Sequence, residues 1–387
     1  MAHQADSTVT EAVVQLLNDN GLSHMGEAIR LLLNEAMRIE RSQALQAEPY
    51  QRTDTRRGYA NGYKPKTVET RVGPITFEVP QARGTSFYPS ALERGVRSER
   101  ALKLAIAEMY VQGVSTRKVT EVMRELCGLD VSSSQVSRAA SLLDEELQAW
   151  RTRPLGEFPF VFLDARYEKV RHGGSVVSCA VLIAAGIDPS GHRCLLGVSV
   201  SLSEADVHWR AFLAALQERG LYGVQLVISD DHAGLKSARE ARFPGVAWQR
   251  CQFHLQQNAG HFAPRTAMRG EIAADLRAVF DAPDRLDADR RLRMAVDKYA
   301  ASAPKLSAWL ESDVPESLSI FAFPRWQRRR VRTSNMLERL SKEIKRRTRV
   351  ATLFPNEAAL LRLVTAVVME ISEEWETEKI YLRMDQD

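Results

Sequence analysis

With 387 residues, 44% hydrophobic and 26% charged, the chain has the composition of a globular protein and the length for two or three domains. No apolar run approaches the roughly 20 residues of a membrane span, and Met1-Ala2-His3-Gln4-Ala5-Asp6 lacks the basic and apolar regions of a signal peptide, so a cytoplasmic protein without membrane partners is expected. The net charge of +4 is unevenly spread, with eleven Arg or Lys against two Glu in residues 325–349, the local excess that a phosphate backbone attracts.

Residues 1–48 read as N-terminal helices. Ile29, Leu32, Leu33, Ala36 and Met37 recur at helical spacing. Such a stripe suits either packing within the chain or self-association, and a homodimer or higher homo-oligomer is expected. Residues 49–97 change character. Arg56-Arg57-Gly58-Tyr59-Ala60-Asn61-Gly62-Tyr63 contains an Asn-Gly turn signal, Val68, Thr70 and Val72 alternate, Val72-Gly73-Pro74-Ile75 breaks the run, and Thr76-Phe77-Glu78-Val79 resumes it. A small β-hairpin follows. Its basic residues Lys64, Lys66, Arg71 and Arg83 either touch DNA or keep an exposed strand edge soluble.

Residues 98–150 predict a helix-turn-helix. Leu102, Ala105, Ile106, Met109 and Tyr110 form one stripe, and Val119, Val122, Met123 and Leu126 a second. A third helix over 133–147 presents Ser134, Gln135 and Arg138, the short polar and cationic side chains that read base edges. A plain three-helix bundle has the same periodicity. Residues 151–254 alternate strands and helices in the order βββαβαβ, that of an RNase H-like α/β core. Residues 255–325 read as an all-helical insertion, and residues 326–387 as the returning C-terminal helices, over about 335–349 and 356–379. The fold class is thus α+β and multidomain. On the Arg-rich return, Arg328, Arg329 and Arg330, then Lys342, Lys345 and Arg346, are the expected phosphate contacts.

Three carboxylates stand out. Asp164 ends the apolar run Phe158-Pro159-Phe160-Val161-Phe162-Leu163, and Asp230 ends Val224-Gln225-Leu226-Val227-Ile228-Ser229. Each can instead cap a turn. Adjacent strand residues face opposite ways, so only one of Asp230 and Asp231 can join Asp164, and parity favours Asp230. Glu338 shares a helical face with Lys342, Lys345 and Arg349, but it also stands three residues after Asn335, where it can close a capping box. Together the acids suit two Mg²⁺ or Mn²⁺ ions, hard cations that take oxygen ligands. Cys251 and His254 form a Cys-x-x-His pair, too few ligands for zinc, and are expected to serve architecture. The four cysteines, Cys127, Cys179, Cys194 and Cys251, make no disulfide framework.

Several stretches then resemble bacterial Mutator-type transposases, the DDE enzymes of insertion sequences. They are Arg57-Gly58-Tyr59-Ala60-Asn61-Gly62-Tyr63, Phe162-Leu163-Asp164-Ala165-Arg166-Tyr167, Ser229-Asp230-Asp231-His232-Ala233-Gly234, Arg250-Cys251-Gln252-Phe253-His254 and Thr333-Ser334-Asn335-Met336-Leu337-Glu338. The resemblance spans nearly the whole chain. It implies an RNase H-like core, a catalytic and metal-binding triad at Asp164, Asp230 and Glu338, and double-stranded DNA partners, namely terminal inverted repeats and target DNA. The competing reading is a sequence-specific DNA-binding regulator whose core is catalytically silent.

Overall fold

A computed structural model describes residues 3–92, 98, 100–349, 353–377 and 380–384. The chain divides into two compact units, Met1–Leu142 and Leu143–Asp387.

The first unit opens with helices α1 (His3–Asn20) and α2 (Met25–Leu45). Part of the apolar stripe of α2 is used inside the unit, while Leu32 and Ala36 stay exposed. Met37 is fully buried against Ile75, Phe77 and Val79, with Ile29 and Leu33 beside it. Those partners lie on β2 (Gly73–Arg83), which pairs antiparallel with β1 (Tyr59–Thr70). The hairpin is longer than its alternating residues suggest, and Asn61-Gly62 is not its turn. Ala60 faces Ala82 and Tyr63 faces Pro80, so two residues of β1 oppose one of β2. This is a β-bulge, and Gly62 supplies the left-handed backbone, φ 71°, that it needs. The turn itself falls at Arg71-Val72, where the Thr70 hydroxyl donates to the Gly73 carbonyl at 2.6 Å.

Helices α3 (Arg100–Val111), α4 (Thr116–Cys127) and α5 (Ser133–Ala140) share a core of Leu102, Ile106, Val119, Met123, Leu129, Val131 and Val136. Ser115 caps α4 by accepting from Lys118 N, and Gly128, φ 64°, ends it. The helix expected over 133–147 is broken by a 3₁₀ turn at Ser141–Leu143. The reason is that its two halves pack in different units. Val136 and Ala139 of α5 face the first unit's core. In α6 (Asp144–Thr152), Asp144 instead accepts from Arg362 of the second unit at 2.6 Å.

The second unit is built on a five-stranded sheet of order β5-β4-β3-β6-β7. Strands β3 (Phe160–His172), β4 (Ser175–Ile187) and β5 (Arg193–Ser201) are antiparallel, and β6 (Leu226–Ser229) and β7 (Ala247–Arg250) run parallel to β3. Because both faces are covered, β3 begins as a continuous apolar run rather than an alternation. Val161 and Leu163 pack with Trp209, Phe212, Leu213 and Leu216 of α7 (Asp206–Glu218) and with Leu235 and Ala238 of α8 (Ala233–Arg242). Phe160 faces the other way, onto Phe323 at 5.5 Å between ring centres.

After β7 the chain is helical: α9 (Gln252–Ala259), α10 (Arg269–Phe280), α11 (Arg285–Ala300) and α12 (Pro304–Asp313). Buried amides anchor this segment to the sheet. Gln249 and Gln252 both donate to the Ser317 carbonyl, at 2.6 and 3.0 Å. Helices α13 (Arg325–Val331), α14 (Asn335–Thr348) and α15 (Glu357–Thr377) close the fold. The last helix was expected to reach Lys379, which lies outside the described residues. No described helix is long and apolar enough to cross a membrane.

Candidate functional site

Asp164 does not end its strand, as the apolar run suggested. It is the fifth residue of β3, which continues beside β4 to His172. What ends there is the parallel pairing, since β6 follows β3 only over Phe160–Phe162. Asp230 is the first residue beyond β6. The two acids therefore meet where the parallel strands part, the usual place for a site in such a sheet. Asp164 keeps one edge toward solvent. Enough protein surrounds its carboxyl that burial, then the charge of Asp230, push it up to about 7.

The neighbouring acid goes elsewhere. Asp231 pairs with Arg250 at 3.1 Å, and that buried guanidinium also holds Asp313 at 2.7 Å and Glu316 at 3.3 Å. One acid of the pair thus joins the site, and the other joins the helical segment to β7.

Glu338 arrives on α14. The helix begins at Ser334, and no side-chain cap forms there, so Asn335 and Glu338 close no capping box. Instead the Ser334 hydroxyl and N–H both donate to Cys251 Sγ, at 3.3 and 3.4 Å. Further along, Arg166 of β3 donates to the Ser341 carbonyl and pairs with Glu168, which accepts from the Thr348 hydroxyl at 2.9 Å. These bonds fasten α14 lengthwise against the strand that carries Asp164. Glu338 Oε1 is buried, has no hydrogen-bond partner, and lies 3.9 Å from His254 Nε2.

The Cys-x-x-His pair splits between two tasks. Cys251 is fully buried and holds the start of α14. Burial pushes its thiol up, but hydrogen bonds from His254 and Ser334 together outweigh this and hold it below the usual thiol range. His254 stands among the acids. Its bond to Cys251 raises it to about 9 against the opposing effect of burial, with Asp164 and Asp230 adding to the rise. Sulfur is a weak acceptor, and His254 Nδ1 has no conventional partner.

A fourth acid, Glu204, was not singled out in the sequence. It is 8% exposed, accepts a hydrogen bond from Tyr167 of β3, and sits 3.7 Å from His232 Nδ1. Its charge also contributes to raising Asp164. A Cβ on Gly234 would meet the Glu204 carbonyl at 2.2 Å, so glycine is required for the Asp230 loop to pack on the Glu204 loop. In sequence, Ser203-Glu204-Ala205-Asp206 reads only as the acidic start of α7.

The expected DNA contacts are placed unequally. Ser134 and Arg138 are exposed on α5, but Gln135 accepts from Ser132 N at 2.7 Å in a capping box. The Ser-x-x-Gln spacing was the available signal for that role. Arg328 donates to the carbonyls of Phe323, Pro283 and Phe321, at 2.8, 2.9 and 3.3 Å, and serves the fold. Arg329, Arg330, Lys342 and Lys345 are exposed, as is Arg346, which pairs with Glu343 at 2.6 Å.

Among the described residues, no three His, Cys, Asp or Glu side chains are already arranged to hold a metal ion. The donor chemistry nonetheless fits one. Carboxylates are ligands for hard cations. The orphaned Glu338 Oε1 and the raised Asp164 are both features that added positive charge would relieve.

Comparison with known proteins gives a consistent result. Residues 2–378 match the family described as Transposase, Mutator family. The chain is 56% identical over 387 residues, all of both chains, to the transposase for insertion sequence element IS406 of Burkholderia multivorans. It is 42% identical over 388 residues to that for ISRM5 of Rhizobium meliloti, covering 100% of this chain and 96% of the relative. It is 36% identical over 354 residues, 89% of each chain, to that for IS256 in transposon Tn4001 of Staphylococcus aureus.

Proposed function

The chain belongs to the Mutator family of transposases, and from that premise we propose that it cuts and joins DNA at the ends of its own insertion sequence through Asp164, Asp230 and Glu338. The observation that carries the reading is the convergence of these acids, from β3, the β6 loop and α14, around His254. The sheet, three antiparallel strands followed by two parallel ones, supports an RNase H-like core, with α9–α12 inserted before the Glu338 helix.

In this reading the three carboxylates hold two Mg²⁺ or Mn²⁺ ions. Such ions, when bound, supply Lewis-acid stabilisation of charge developing at phosphorus during in-line displacement. The protein's own groups do the rest. The bonds among Cys251, Ser334, Arg166 and Ser341 fasten the Glu338 helix to the sheet that carries the aspartates, which in this reading leaves little reorganisation for the reaction. His254, kept cationic by Cys251 and the acids, balances negative charge and presents Nε2 toward Glu338. The exposed Arg329, Arg330, Lys342 and Lys345 offer cations to the DNA backbone.

Helices α3–α5 are read as a helix-turn-helix that binds the terminal inverted repeats, with Ser134 and Arg138 toward base edges. The active species is read as a homodimer or higher oligomer. The experiment is incubation of the purified chain with DNA bearing its element's ends, with and without Mg²⁺. Metal-dependent nicking and strand transfer support the reading. Specific binding without cleavage instead favours a regulator with a silent core.

A further inference from the structure

A cleft of about 480 Å³ opens in the second unit between α13, the start of α14 and the segment at Tyr381. Its wall carries Arg193, Arg329, Arg330 and Arg339 together with Trp326 and Tyr381 and, among the described residues, no carboxylate. Arg329 and Arg339 have no carboxylate partner among the described residues. The guanidinium groups of Arg330 and Arg193 lie 4.7 and 4.9 Å from the centre of the Tyr381 ring. Trp326 is 41% exposed at this cleft, a large aromatic left in water.

Arg329, Arg330 and Arg339 on one concave wall repel one another, so the cleft favours an anion. The aromatic side chains narrow the class. A bare phosphate needs the fork of arginine donors but gains nothing from indole. A nucleotide uses both, because any base can stack on an aromatic face while its phosphate meets arginine. The volume lies within the range of small-ligand pockets. Inside a paired duplex both faces of a base are covered by its neighbours, so an interior base must be unpaired to stack in this way.

Position adds a second argument. Asn335, Met336 and Arg339 of the cleft belong to the helical turn that carries Glu338. One turn advances about 5.4 Å, so a nucleotide held here is close in the chain to the scissile position.

We propose that this cleft takes one unpaired nucleotide of the DNA substrate, its base against Trp326 and its phosphate against Arg329, Arg330 and Arg339. The inference rests on the transposase reading and assigns the cleft a task that reading does not: holding the strand opened at the element's end.

The test is binding without chemistry. The full chain, in EDTA, is titrated with two duplexes of its element's end. One is fully paired, and the other carries a single unpaired 2-aminopurine beside the terminal nucleotide. The wild-type chain is expected to prefer the unpaired duplex and to quench its fluorescence. Trp326→Ala should weaken that duplex about 5- to 100-fold, the range of base–aromatic stacking. It should leave the paired duplex unchanged, and Trp326→Phe should restore most of the preference. Arg339→Gln should reduce the same preference without altering the quenching of whatever remains bound. Equal loss on both duplexes, or no wild-type preference, overturns the cleft assignment while leaving the transposase reading intact. Failure of the wild-type chain to bind either duplex overturns both.

Discussion

Ser334 gives both its hydroxyl and its backbone N–H to Cys251 Sγ, at 3.3 and 3.4 Å, so the residue that starts the Glu338 helix is fastened to the residue that follows β7. One acid of the proposed triad thereby takes its place from the sheet that positions the other two. Cys251→Ala would leave two buried donors unpaired, at a cost of about 1–3 kcal/mol each. Cys251→Ser keeps an acceptor of smaller radius and should lose less. Urea midpoints of the two variants rank these effects. A Cys251→Ser chain that folds and assembles normally yet cannot cleave DNA would move the cysteine from support into the chemistry.

Stability should depend on pH through Asp164. Folding raises its carboxyl from 3.8 to about 7. Between those values the folded chain keeps a proton that the unfolded chain has lost. The associated stability is therefore full below the unfolded value and is lost as pH rises through the folded one. In EDTA, the chain should be less stable at pH 8 than at pH 5, and Mg²⁺ should restore stability mainly at the higher pH. Asp164→Asn should flatten the profile and raise stability at pH 8. An unchanged slope in that variant would contradict the assignment.

The two aspartates could be singled out because each follows an apolar run long enough to be a buried strand; parity only favoured Asp230 over Asp231, and the resemblance to the family's Ser-Asp-x-His motif made the choice. Glu338 was harder, since an acid in a first helical turn is most often a cap. Here the hydroxyl that would cap is turned to Cys251 instead. Glu204 was not legible. Its surroundings come from Tyr167 and His232, which the fold brings together from separate strands and loops. The same limit hid the roles of Asn61-Gly62, a bulge rather than a turn, and of Arg328, whose donors are taken by the nearby carbonyls of Phe321 and Phe323 and by that of Pro283, distant in sequence.

Glu204→Gln keeps the acceptor for Tyr167 and removes the charge facing His232. Cleavage should fall by up to about 100-fold, because the Glu204 loop packs on the loop that carries Asp230 and a small shift of a reacting group is costly. DNA binding and thermal stability should stay near wild type. Asp231→Asn should show the reverse. It removes one of three acids from Arg250, costing about 1–2 kcal/mol of stability, with less than about tenfold change in cleavage. Parallel melting curves and nicking rates separate the two. Loss of cleavage in Asp231→Asn alone would mean that the neighbouring acids have been assigned the wrong way round.

Arg329→Ala with Arg330→Ala should flatten the salt dependence of DNA binding by roughly 0.9 per lost phosphate contact. Arg328→Ala should instead lower the melting temperature, because its three carbonyl partners hold α13 to Pro283 and to the chain at Phe321 and Phe323. Equal salt slopes in wild type and the double variant would remove this surface from the DNA path.

The most direct test compares Asp164→Asn, Asp230→Asn and Glu338→Gln in Mg²⁺-dependent nicking and joining of DNA bearing the element's own ends. Each substitution keeps shape and removes one charge. If the three carboxylates serve one pair of cations, each variant should lose both steps by roughly 10³-fold or more and still bind the ends specifically. Full nicking by Glu338→Gln would contradict the account, since α14 would then bring its acid to the aspartates for no chemical purpose.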